Sequence, residues 1–168
     1  MTAGAALLAV AYRPVSSEPP LLRQPTWPYH WAGAAQRLAA EADFSAAFDE
    51  ALAMAAHYGP SERKLRLHLA LLGLRHWDAL SERARALTQA HVDASLRVQS
   101  GALLRAAFAM RRETLVCARV GDDPELLTVC ERYAGLRRLC DRPRPSIDLT
   151  VWCLERYAQP RHPPRAAR

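Results

Sequence analysis

An all-α fold, built as stacked antiparallel helical hairpins with about seven helices, is what this sequence predicts, and three observations predict it. Ala supplies 32 and Leu 24 of the 168 residues against only seven Gly, so intrinsic propensity favours helix over most of the length. Apolar residues recur every three to four positions from Trp31 onward, the spacing of one helix face. Capping residues and Gly or Pro stops punctuate the chain at helix-length intervals. The length suits one domain, expected over residues 29–158, preceded by an arm and followed by a short basic tail at 159–168.

The first twelve residues, MTAGAALLAVAY, are apolar and uncharged. They fall short of the roughly 20 residues that span a bilayer and lack the basic start of a signal peptide. They read either as the tail end of a signal or membrane anchor or as a frayed terminus. Residues 13–28 carry five prolines, which fix φ and remove backbone donors, so an extended arm is expected there.

Trp31, Ala35, Leu38 and Ala42 mark one stripe of a first helix over about residues 29–41. Phe44, Ala47, Phe48, Ala51, Leu52 and Ala55 repeat the pattern in a second helix, started by Asp43 or Ser45 and stopped at Gly59-Pro60. These two stripes are expected to face each other. Ser61 is the expected cap of a third helix, whose Leu65, Leu67, Leu69, Leu71, Leu72 and Leu74 spread around the circumference and mark it as central. A fourth helix is expected from Asp78 or Ser81 to Leu96, with Leu80, Ala84, Leu87, His91 and Ala94 on one face. A fifth follows from about Gly101, carrying Leu103, Leu104, Ala107, Phe108 and Arg111. TLVCARV, residues 114–120, prolongs that helix or forms a short extended piece; the helical reading is preferred although β-branched residues weaken it. Asp122-Asp123-Pro124-Glu125 opens a sixth helix reaching about Cys140. Ser146 caps a short seventh with Ile147, Val151, Leu154 and Ala158, and the tail beyond is expected to be disordered.

The net charge of +6 is scattered, and 22 of the 23 basic residues are Arg, which reads as coding bias more than as a built polyanion surface. A nucleic-acid-associated protein using Arg63, Lys64, Arg66, Arg111, Arg112, Arg137 and Arg138 is the alternative this charge raises. No nucleophile beside a base, no glycine-rich phosphate loop and no paired carboxylates stand out along the chain, so no enzyme and no cofactor are expected. Asp49-Glu50 reads as a solvated helix face. His68, His76 and His91 form no metal spacing with one another or with the cysteines, and no metal site is expected; His91 reads as a hydrogen-bonded core or boundary residue.

Trp31, Phe44, Phe48 and Trp77 are the expected aromatic core. Trp27 and Tyr29, in the arm before the first helix, are the candidates for exposed, partner-binding aromatics. Cys117, Cys130, Cys140 and Cys153 are confined to the C-terminal third, at separations of 13 residues within the first pair and within the last. Cys117 and Cys130 flank the turn at Asp122-Asp123 and are the candidate disulfide if the domain lies in the periplasm, whereas in a reducing cytoplasm all four act as small buried apolar residues.

Residues 31–60 resemble one copy of the tetratricopeptide repeat. Trp31 matches its Trp, Ala35 stands where Gly is usual, Leu38 replaces the Tyr, Asp43-Phe44 resembles the turn, and Ala47 matches the second-helix Ala. Ala51 replaces the later aromatic, Met54 a small residue, and Pro60 arrives one residue late, so a tandem array is not expected. A second resemblance spans about residues 25–120. PTWPYHWAGAAQ, the D-F-S-A-A-F helix, GPSERKLRLHLALLGLRHWDAL and LVCARV resemble the VpsP-like small helical proteins of bacterial exopolysaccharide and O-antigen clusters. That resemblance implies a non-enzymatic accessory or scaffold role in polysaccharide biosynthesis or export, with protein components of that assembly as partners. It also implies a place near the inner membrane; a periplasmic location is expected beside it, with the cytoplasm as the alternative.

Overall fold

Six α-helices and one 3-10 turn account for the secondary structure of the described residues, which contain no strand. The structure is a computed structural model and describes residues 26–141 and Cys153. The apolar start, most of the proline-rich arm, the seventh helix apart from the helical Cys153, and the basic tail lie outside the described residues.

Helix α1 (Pro28–Ala40) begins on a proline, whose missing N–H costs nothing at this position. It ends where Ala42 takes a left-handed φ of 58°, with Ala42 N–H donating to the Ala39 carbonyl and Asp43 N–H to the Leu38 carbonyl, the paired bonds of a Schellman end made without glycine. Helix α2 (Ala46–Tyr58) starts at Ser45, whose hydroxyl accepts from Ala47 N–H, and stops at Gly59. A Cβ on Gly59 would meet Pro28 and Leu65, so the end of α2 meets the beginnings of α1 and α3. Phe48, Ala51, Leu52 and Ala55 face Ala32, Ala35 and Ala39, as their periodicity predicts. Ala47 is exposed, however; it does not join this stripe as its periodicity and the repeat resemblance both imply, because the buried face runs through residues 48, 51, 52 and 55.

Helix α3 (Arg63–Arg75) starts one residue later than its leading Ser61 predicts. Its N-cap is Glu62, which makes no capping bond through its side chain, and the carboxylate instead accepts from the Tyr29 hydroxyl at 3.3 Å. After the 3-10 turn Trp77–Ala79, Ser81 caps α4 (Glu82–Ala109) by accepting from Ala84 N–H at 3.0 Å. The break expected between the helices over 78–96 and from 101 is present as a kink inside this run. Only Gln99 leaves helical geometry, at φ −146° and ψ 33°, and its side-chain amide donates to the Arg63 carbonyl at 2.7 Å. A long-range bond, not the nearby glycine, marks the kink.

Two close approaches set the register of α3 against α4: Gly73 lies on Thr88, and Arg63 on Gln99. The two helices therefore run antiparallel along their whole shared length. Arg111, at φ 59°, ends α4 with the same glycine-free pattern as α1. The following α5 (Glu113–Cys117) is thus a separate short helix and not a prolongation of α4. Asp123 then caps α6 (Pro124–Cys140), accepting from Glu125 and Leu126 N–H at 3.0 and 3.1 Å.

Apolar burial falls into two clusters. The first joins α1, α2, the N-terminal and middle leucines of α3 and the start of α4, with Trp31, Leu38, Phe44 and Trp77 packed against it. The second joins Ala70 and Leu74 of α3 to Val92, Leu96, Leu103, Leu104 and Ala107 of α4, and to Val116, Val120 and Cys130. Only α3 and α4 contribute to both.

Candidate functional site

The end of the fold where α1 begins presents Trp27 and Tyr29, exposed to 50% and 40%. Their rings lie 5.7 Å apart, and the Tyr29 hydroxyl is held by Glu62. Trp27 is extended at the N-cap position of α1 and Pro28 beside it is buried, so the pair is carried on folded backbone. Of the expected core aromatics, Phe48 is fully buried. Trp31, Phe44 and Trp77 are partly buried on the first cluster. Phe44 packs edge-on to Phe48 at 5.2 Å, and the Arg85 guanidinium lies 5.7 Å over the Trp77 ring, a cation–π arrangement.

All four cysteines are paired, Cys117 with Cys130 and Cys140 with Cys153. The first bridge joins α5 to α6 with Cα atoms 5.8 Å apart. An ion pair between the buried Glu113 and Arg137 joins the same two helices. Such a pair contributes mainly by keeping a buried carboxylate compensated.

Along the kinked part of α4, Asp93, Leu96, Arg97 and Ser100 form one wall of an open cleft of about 480 Å³. The opposite wall is Arg119, Val120, Asp123, Glu125 and Leu126, from the turn between α5 and α6 and the first turn of α6. Arg119 spans the walls with two hydrogen bonds to Asp93, one from Nε at 2.8 Å. This contact holds the Asp93 carboxyl below its ordinary value, and the geometry is the strong bidentate kind. None of the α4 residues stands out as a motif, although their spacing of four and three puts Asp93, Arg97 and Ser100 on one polar face that periodicity alone would reveal.

Buried polar groups elsewhere depart from expectation. Asp49 is not on a solvated face: it is buried and accepts from the Ser81 hydroxyl at 2.7 Å, joining α2 to the cap of α4. Glu50, beside it, is exposed and pairs with Arg83. His91 is buried, but its Nε2 has no hydrogen-bond partner among the described residues, nor has the Ser95 hydroxyl one turn later. Burial, then the charge of Arg66, push the His91 imidazole down to about 4. Among the described residues no group of three or more His, Cys, Asp and Glu side chains is placed to hold a metal ion, and no helix is long and apolar enough to cross a membrane.

Comparison with protein-family models, with curated proteins and with solved structures gives no match to this chain.

Proposed function

We propose that this protein is a non-enzymatic accessory or scaffold component of bacterial polysaccharide biosynthesis or export, working through protein contacts at its Trp27–Tyr29 end. The observation that carries the binding half of this reading is the exposure of that aromatic pair on folded backbone. Large aromatic side chains held in place anchor interfaces at low entropic cost. The polysaccharide setting rests on the resemblance of residues 25–120 to the VpsP-like group. In this reading α1–α2 stacks on α3–α4 as a tetratricopeptide-like pair of hairpins. The two disulfides support a periplasmic location beside the inner membrane, where such bridges persist.

The nucleic-acid alternative loses ground on the same structure. Of the seven basic residues it would use, Arg111, Arg112 and Arg137 are engaged with Asp141, Asp78 and Glu113, and an arginine held by a carboxylate offers less to phosphate.

The test is cross-linking of the tagged protein at its native level in the source bacterium, followed by nuclease treatment and identification of what co-purifies. Glycosyltransferases, polymerase or export proteins are the expected partners. Trp27→Ala is expected to lose them while its melting temperature stays within about 2 °C of the parent, since an exposed ring contributes little to folding. Recovery of ribosomal or nucleoid proteins that disappears with nuclease overturns the reading.

A further inference from the structure

The disulfide Cys117–Cys130 encloses residues 118–129, and five of the nine side chains that line the cleft come from within that enclosed loop. Arg119, itself in the loop, is latched to Asp93 on α4. A covalent bridge behind the wall and a bidentate ion pair across the opening thus hold both sides of the cleft in fixed positions. Asp93 and Arg119, paired with each other, lose little freedom when a ligand arrives, while Arg97 and Glu125 are exposed beside them.

The chemistry of the walls selects among ligands. Asp93, Asp123 and Glu125 nearly balance Arg97 and Arg119, so there is no one-signed field to concentrate a polyanion or a polycation. The N-terminus of α6 is no seat for an anion, because the Asp123 carboxylate already accepts from the Glu125 and Leu126 amides. The apolar part is small, namely Leu96 and Val120, both largely buried, with Leu126. A lipid chain or a large aromatic ligand would find too little surface there. A neutral ligand carrying many hydroxyls together with small C–H faces fits such walls. Vicinal hydroxyls meet a carboxylate or a guanidinium in two-point fashion, and the C–H face rests on the half-buried Leu126. A volume of about 480 Å³ lies within the range of small-ligand sites and accommodates a short oligosaccharide.

We propose that the cleft between the kinked part of α4 and the disulfide-enclosed loop is a binding site for a short neutral glycan, with Arg97, Ser100 and Glu125 as its polar contacts. This goes beyond the scaffold reading and is tested apart from it. The full-length oxidised protein, labelled with 15N, is titrated to about 10 mM, well above the millimolar dissociation constants of weak sites, with maltotriose, cellotriose and chitotriose in turn, and with inorganic phosphate as comparator. The expected result is saturable shifts from at least one sugar, confined to amides of residues 93–100 and 118–126. Arg97→Ala and Glu125→Gln each weaken that response by roughly fivefold or more, about 1 kcal/mol, with unchanged melting temperature. No saturable shift from any of the three sugars overturns the proposal, as do shifts centred elsewhere or a response to phosphate at the same residues. Trp27 lines no part of the cleft, so Trp27→Ala keeps the sugar response even where it loses protein partners, and Arg97→Ala keeps the partners.

Discussion

His91 shows at the scale of one residue how burial becomes pH dependence. Its imidazole is pushed from 6.5 to about 4, so between these values the unfolded chain binds a proton that the folded chain does not. Stability is complete above about pH 6.5 and falls as the pH drops through that window, by about 2 kcal/mol at pH 5. His91→Leu removes the titrating group. Its melting temperature is expected to change less between pH 7.5 and pH 5 than that of the parent. Ala42 carries a different local cost, a left-handed φ of 58° that an L side chain adopts only with strain. Ala42→Gly is expected to raise stability by about 0.5 to 1 kcal/mol, read from the urea midpoint. Neither property was legible beforehand: periodicity puts His91 on a buried face, but the absence of a partner for its Nε2 depends on what α3 brings opposite it.

Among the elements, α3 against α4 is the most sensitive contact. A Cβ added at Gly73 would run into the Thr88 side chain, whose hydroxyl donates to the Ala84 carbonyl at 2.8 Å. Gly73→Ala is expected to cost about 1 to 3 kcal/mol by overpacking, and the double variant with Thr88→Ala to recover part of it in chemical denaturation. The starts of α2, α4 and α6 could be read in advance, because a Ser or Asp cap bonds to amides two or three residues away and its signal is local. The break near residue 99 was legible too, as the gap between the helices expected to end at Leu96 and to start near Gly101, but the bond that accompanies the kink, from Gln99 to Arg63, was not. The cleft was hidden for the same reason: its walls are separate stretches of chain brought together by folding. Asp49 was misread because its partner, Ser81, is 32 residues away.

At the scale of the whole molecule, the two disulfides and the Glu113–Arg137 pair all reinforce the C-terminal half, whereas the first cluster relies on apolar packing and the Asp49–Ser81 bond. Each bridge spans a separation of 13 residues, and loops of that size are worth about 3 kcal/mol of stability. Reductant is therefore expected to lower the melting temperature. Cys117→Ser with Cys130→Ser is expected to reproduce part of that loss without reductant, and thiol titration of the oxidised parent to find no free cysteine. Because α3 and α4 belong to both clusters, damage in α1 or α6 leaves one set of packing partners intact, while damage in the central hairpin severs both. Amides of α3 and α4 should accordingly exchange with deuterium only through global unfolding, with α1 and α6 opening earlier and independently. Tolerance to substitution should then be lowest in the middle of the described chain and rise toward both of its ends.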